Sequence, residues 1–128
     1  MTLHWESAVR AGNAMSIREQ LDRGADANAR DRHGQTALML AAHAGHRDVV
    51  AILIERGADL DVTAKYRLSA LMLAVISGHP EIARQLAHAG ADLSQTGTGT
   101  PDFSGQTAHD LALARGLTDL AADLMPRK

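Results

Sequence analysis

The sequence predicts an all-α fold, a solenoid of stacked helix-turn-helix units joined by hairpin-like loops. Repetition is the first sign. The tripeptide Gly-Ala-Asp recurs at Gly24, Gly57 and Gly90, evenly spaced, and the small-Gly pairs ending at Gly12, Gly45 and Gly78 keep the same interval. The run TALMLA from Thr36 returns one such interval later as SALMLA from Ser69. Self-similarity at a fixed period of this size marks repeat architectures, whose units are too small to bury an apolar face alone and so stack on one another. Composition is the second sign. With one Trp, one Tyr and one Phe in 128 residues, the core must be aliphatic, and small side chains suit closely packed helices.

The elements of one unit follow from its residues. Thr36 can cap a helix, because its hydroxyl accepts from a free backbone N–H in the first turn. ALMLAAHA from Ala37 is a short run of good helix formers, and Gly45-His46 breaks it, as a glycine just past a helix end does. RDVVAILIER from Arg47 predicts a second helix, with Val49, Val50, Ile52, Leu53 and Ile54 as its apolar part. Gly57 ends it, and polar residues lead to the next unit. In the third unit Pro80 stands at the first position of the second helix, where a missing N–H costs nothing. A fourth unit is displaced: GQTAHDLA from Gly105 matches GQTALMLA from Gly34, but it lies beyond the two-period mark by the length of a short insertion. The excess falls in TGTGTP, Thr96 to Pro101.

These spacings carry a family resemblance. Asp31, Gly34, Thr36, Leu38, Ala41, Ala42, Gly45, His46, Val49, Val50, Leu53, Gly57, Ala58 and Asp59 fall on the framework of a unit that resembles the ankyrin repeat. The resemblance covers nearly the whole chain. It implies one domain, residues 1–128, divided into an N-terminal capping repeat (1–30), two full repeats (31–63 and 64–96), a loop insertion (97–101) and a C-terminal capping repeat (102–128). The chain departs from the family where Ala37, Ala70 and Ala108 replace a proline and where Met39 and Met72 replace a histidine. Each change is expected to loosen the start of the first helix slightly. Arg67 stands where the family has a turn glycine, at a position that needs a positive φ. The hairpin of the third unit is therefore expected to be reshaped.

Seven histidines invite a metal or catalytic reading. His46 and His79 lie one period apart and read as framework residues bonded to neighbouring loops. His33 and His43 could approach each other across the inner surface, so a metal-dependent or catalytic role using them and nearby carboxylates is the alternative function. The chain lacks a His-Glu-x-x-His spacing, cysteine and a nucleophile-elbow serine. Asp26, Asp59 and Asp92 are one repeat position and read as turn residues. TGTGTP lacks the lysine of a phosphate loop. The expectation is a protein with no catalytic residue, metal or cofactor.

The resemblance implies binding through the loop tips and the exposed side of each first helix. The matching positions include Arg30, Arg32, His33, Gln35 and His43, then Lys65, Tyr66, Leu68 and Ile76, then Phe103 and Arg115. Basic residues gather there although the chain carries a net charge of −2, and Tyr66, Leu68, Ile76 and Phe103 are apolar or aromatic at positions expected to face water. Arg and aromatic residues are typical interface anchors. Local packing, with Phe103 on the inserted loop and Tyr66 on the next hairpin, is the competing account of the two aromatics. The expected function is a protein-protein interaction module that grips a folded partner bearing an acidic and partly apolar patch, as an adaptor, inhibitor or protective partner. The basic residues are too few, and serial stacking aromatics are missing, for nucleic acid to be the partner. No apolar run approaches the roughly 18 residues of a membrane span, and the N-terminus does not read as a secretory signal. A cytoplasmic monomer is expected, and the Ala/Arg-rich composition suggests a bacterial source.

Overall fold

The computed structural model describes residues 2–126. Among these residues eight α-helices follow one another in pairs: α1 (Leu3–Ala11) and α2 (Ala14–Asp22), α3 (Ala37–Ala44) and α4 (Arg47–Glu55), α5 (Ala70–Ile76) and α6 (Pro80–His88), α7 (Ala108–Ala114) and α8 (Thr118–Asp123). The first helices of the pairs, α1, α3, α5 and α7, pack side by side as an inner layer, and the second helices form an outer one. Hairpin-like fingers connect the pairs. Two close through isolated antiparallel bridges, Arg30 with Thr36 and Thr63 with Ser69. The expected all-helical stack is the observed one.

Each pair is punctuated as its residues dictate. Thr36 and Ser69 accept the amide hydrogens of Met39 and Met72, both at 3.3 Å, and start α3 and α5. Thr107 and Asp110 form a reciprocal capping box at the start of α7, which satisfies two otherwise free amides. Pro80 opens α6. The outer helices end near Arg23, Arg56 and Ala89, and the chain then turns on Asp26, Asp59 and Asp92. Each carboxylate accepts the amide two residues on, from Asn28, Asp61 and Ser94, at 2.8, 3.0 and 2.8 Å. The Ser94 hydroxyl adds a bond of 2.6 Å, and together these donors hold the Asp92 carboxyl below its ordinary pKa.

The repeat period also sets how units join. His46 Nε2 donates to the Arg10 carbonyl at 3.0 Å, and His79 Nε2 donates to the His43 carbonyl at 3.1 Å. Donor and acceptor both advance by one repeat period, so one bond is made twice. Gly12 and Gly45 leave room for these rings: a Cβ on Gly12 would stand 2.6 Å from His46 Nδ1, and one on Gly45 would stand 2.8 Å from His79 Cε1. In the last unit Leu117 takes the histidine position, and a Cβ on Gly78 would meet open space. A second tie runs through the turns, where Asn28 and Asp61 accept the amides of Asp59 and Asp92, both at 2.8 Å.

One apolar core runs through all units. Val9, Ile17, Leu38, Met39, Leu53, Leu71, Met72, Leu86, Leu111, Leu120 and Leu124 are almost fully buried. Leu53, Leu86 and Leu124 occupy one position in successive units, each with no exposed surface. Burying such a side chain stabilises the fold by about 1.5–3 kcal/mol, so every unit depends on the next for much of its stability.

Candidate functional site

The fingers and the exposed side of the inner layer place the sequence-derived candidates. Arg30, Arg32, His33, Lys65, His43 and Arg115 are exposed, and Gln35, Tyr66, Ile76 and Phe103 are half-buried. Leu68 corrects the expectation. It is 7% exposed and belongs to the core. The same finger position holds Gln35 and Gln106 in the neighbouring units, which are half-buried. An apolar side chain there turns inward, because leaving water is its main driving force.

The histidines do not assemble a metal centre. His43 Nδ1 shares a 2.8 Å hydrogen bond with Ser77 Oγ, and His33 Nε2 accepts from Arg32 Nε at 3.3 Å. Among the described residues no group of three or more His, Asp or Glu side chains stands close enough to hold an ion. His109 is also engaged, its Nδ1 donating to the Ala121 carbonyl at 2.6 Å.

Charge is distributed unequally between the layers. On the outer helices, arginines pair with carboxylates of the adjoining unit: Arg18 with Glu55, Arg56 with Asp22, Arg47 with Glu81, and Arg84 with Asp123. Each pair ties two consecutive outer helices. The inner layer has Arg10, held by Glu6 at 3.0 Å and by Asp31 at 3.8 Å. Arg32, Lys65, Arg67 and Arg115 form no ion pair among the described residues. Arg32 leans on His33, Lys65 sits 4.9 Å above the Tyr66 ring centre, and Arg115 donates to the Leu111 carbonyl. Their positive charge faces outward.

The finger of the third unit is reshaped, as Arg67 suggested. Where the second unit has Gly34 at φ 78°, Arg67 adopts φ 56°, and its neighbour Tyr66 also lies in the left-handed region at φ 60°, ψ 20°. Two such residues in succession, with the Leu68 amide bonded to the Lys65 carbonyl at 3.3 Å, make a tight turn of the kind glycine and asparagine prefer. Each non-glycine residue costs roughly 1–2 kcal/mol in that region.

The reshaped turn meets the insertion, which is the local packing offered as the competing account of Tyr66 and Phe103. The Thr98 amide donates to the Tyr66 carbonyl at 2.8 Å. Gly99 lies against the Tyr66 ring, so close that a Cβ there would stand 2.5 Å from Cδ1. Gly97 lies as close to the backbone carbonyl and Cβ of Phe103, and its N–H and C=O bond to the Gln106 carbonyl and the Gly105 amide, both at 3.0 Å. The rings of Tyr66 and Phe103 lie 5.7 Å apart at 45°, a favourable tilted pair. The two aromatics therefore pack locally and remain half-open to water. What lies on the surface is a built platform rather than two separate anchors.

Comparison with known proteins agrees with this architecture. The profile described as ankyrin repeats, three copies, matches residues 5–97. The chain belongs to the ankyrin repeat family. Such repeats are protein-protein interaction modules, and the family is generally non-enzymatic. Over 46 residues the chain is 46% identical to osteoclast-stimulating factor 1 of Bos taurus, 46% to that of Danio rerio and 44% to that of Gallus gallus. The match covers 36% of this chain and only 22 to 23% of those proteins. Among the described residues no helix is long and apolar enough to cross a membrane.

Proposed function

We propose that the chain is a non-enzymatic binding module that grips a folded protein through its finger tips and the exposed side of its inner helices. The contrast in charge carries the reading. Arg18, Arg47, Arg56 and Arg84 of the outer layer are neutralised between units, with Arg23 left exposed, whereas Arg32, Lys65, Arg67 and Arg115 are exposed and form no ion pair among the described residues, on the face that carries Ile76, Tyr66 and Phe103. A partner patch that is acidic and partly apolar complements this face, and Arg30, His33, Gln35 and His43 extend it. Rim charges of this kind speed association and select partners more than they add affinity. The module acts as a cytoplasmic monomer, an adaptor, inhibitor or protective partner of another protein. Its first and last units, 1–30 and 102–128, serve as capping repeats for the two between them. Affinity capture from the source cell's lysate tests the reading, comparing wild type with a Tyr66→Ala, Arg32→Glu double variant. A protein held by the wild type alone supports the proposed face. Equal capture by both moves the site elsewhere.

A further inference from the structure

The finger of the third unit and the insertion pack as one element that breaks a local rule twice. Tyr66 and Arg67 occupy the left-handed region without being glycine. Local rules are broken mainly where function requires it, and inference runs from the outlier to the function. The side chain of Arg67 makes no ion pair or hydrogen bond among the described residues that would explain its presence, and it is exposed. Lys65 is exposed on the same turn, its ammonium 4.9 Å above the Tyr66 ring. One cation thus stands over an aromatic surface that Gly97, Thr98 and Gly99 pack against, and a second is carried by the same turn. Such preorganisation lowers the ordering cost of binding.

Resting on the module reading above, we propose that this element is the specificity site. It takes an acidic segment of a partner protein in which an apolar side chain seats on Tyr66 and Phe103 while flanking carboxylates meet Lys65 and Arg67. The carboxylates follow from the charge of the turn and the apolar residue from the half-open ring pair. A nucleic acid fits less well. The neighbouring finger, Thr96 to Ser104, has no cation to continue a phosphate track, whereas a peptide needs carboxylates only beside Lys65 and Arg67.

The test uses the full chain and a short fluorescein-labelled peptide with a central Phe-Leu pair between glutamates and aspartates. Two companion probes replace the apolar pair by serines or the acids by lysines, and anisotropy is read at physiological salt. The acidic-apolar peptide should bind best. Arg67→Gly and Lys65→Ala should each weaken it about tenfold, and Arg67→Gly should do so while raising the melting temperature, which separates binding from folding. Arg23→Ala, an exposed cation at the end of α2, should leave binding unchanged. Failure of the wild type to bind, equal affinity for the serine-substituted probe, equal competition by a single-stranded oligonucleotide, or unchanged binding by both finger variants would each overturn the assignment. The lysate capture keeps the two readings apart. Capture lost with Arg32→Glu but kept with Arg67→Gly and Lys65→Ala overturns this placement alone.

Discussion

The backbone carbonyl of Tyr66 accepts the amide hydrogen of Thr98 at 2.8 Å. This bond joins the finger of the third unit to the insertion ahead of the fourth, and Tyr66 presents its carbonyl from a left-handed conformation. Strain in one finger and an extra loop in the next are parts of a single arrangement.

Relieving that strain should stabilise the protein. Arg67→Gly removes a side chain from φ 56° without loss of an ion pair among the described residues. The expected gain is about 1 kcal/mol, or a few degrees in melting temperature. An unchanged or lower midpoint in a calorimetric scan would show that Arg67 supports the turn in some other way.

Gly99 and Gly105 offer a matched comparison. Both have positive φ, 90° and 71°, yet only at Gly99 would a Cβ meet a neighbour, the Tyr66 ring. Gly99→Ala should therefore destabilise the chain by about 1–3 kcal/mol more than Gly105→Ala. Equal costs in urea denaturation would mean that the insertion is not held against Tyr66 in solution.

Leu53 tests the register of the stack. Its side chain is wholly buried between units, so Leu53→Ala should cost about 2–5 kcal/mol. A loss below about 1 kcal/mol on the same scale would place the residue outside the core.

The histidine ties should behave as two copies of one interaction. His46→Ala and His79→Ala each remove a donor to a carbonyl of the preceding unit. Each should cost about 1 kcal/mol, and the double variant should cost nearly the sum, because the two bonds share no partner. A loss confined to one of them would show that the units are not equivalent in solution.

Zinc should leave the melting temperature of the wild type unchanged. His33 and His43 are hydrogen-bonded to Arg32 and Ser77, and no third ligand completes a site among the described residues. A rise with added zinc that His43→Ala abolishes would restore the metal reading, because a ligand that binds only the folded state must stabilise it.

Much of this was legible in the sequence because repetition exposes roles. Gly24, Gly57 and Gly90 set the period, and the period identified His46 and His79 as equivalent before any bond between units was visible. The positive φ of Arg67 followed from comparing it with Gly34. Leu68 was misplaced because it was assigned by its match to the family's binding positions, and an apolar side chain there turns into the core. The contact between Tyr66 and Gly99 was hidden for another reason. It belongs to no repeated position, since the insertion occurs once and has no counterpart from which its path could be inferred. The pairing of the two rings therefore became visible only in three dimensions, while local packing on the insertion and the next hairpin was already the competing account of Tyr66 and Phe103, two of the chain's three aromatics.

The outer ion pairs and the insertion also distribute mechanical load. A stack stretched from its ends parts at the seam that holds least. The seam between the third and fourth units carries helix packing, the Arg84–Asp123 pair and the clasp of Tyr66 on Thr98 and Phe103. The seams before it have packing, ion pairs, one histidine bond and one turn tie each, and the second adds the bond of Ser77 to His43. Under tension the first two seams should therefore yield through the ties they share, whereas the last should part only when the insertion lets go of Tyr66.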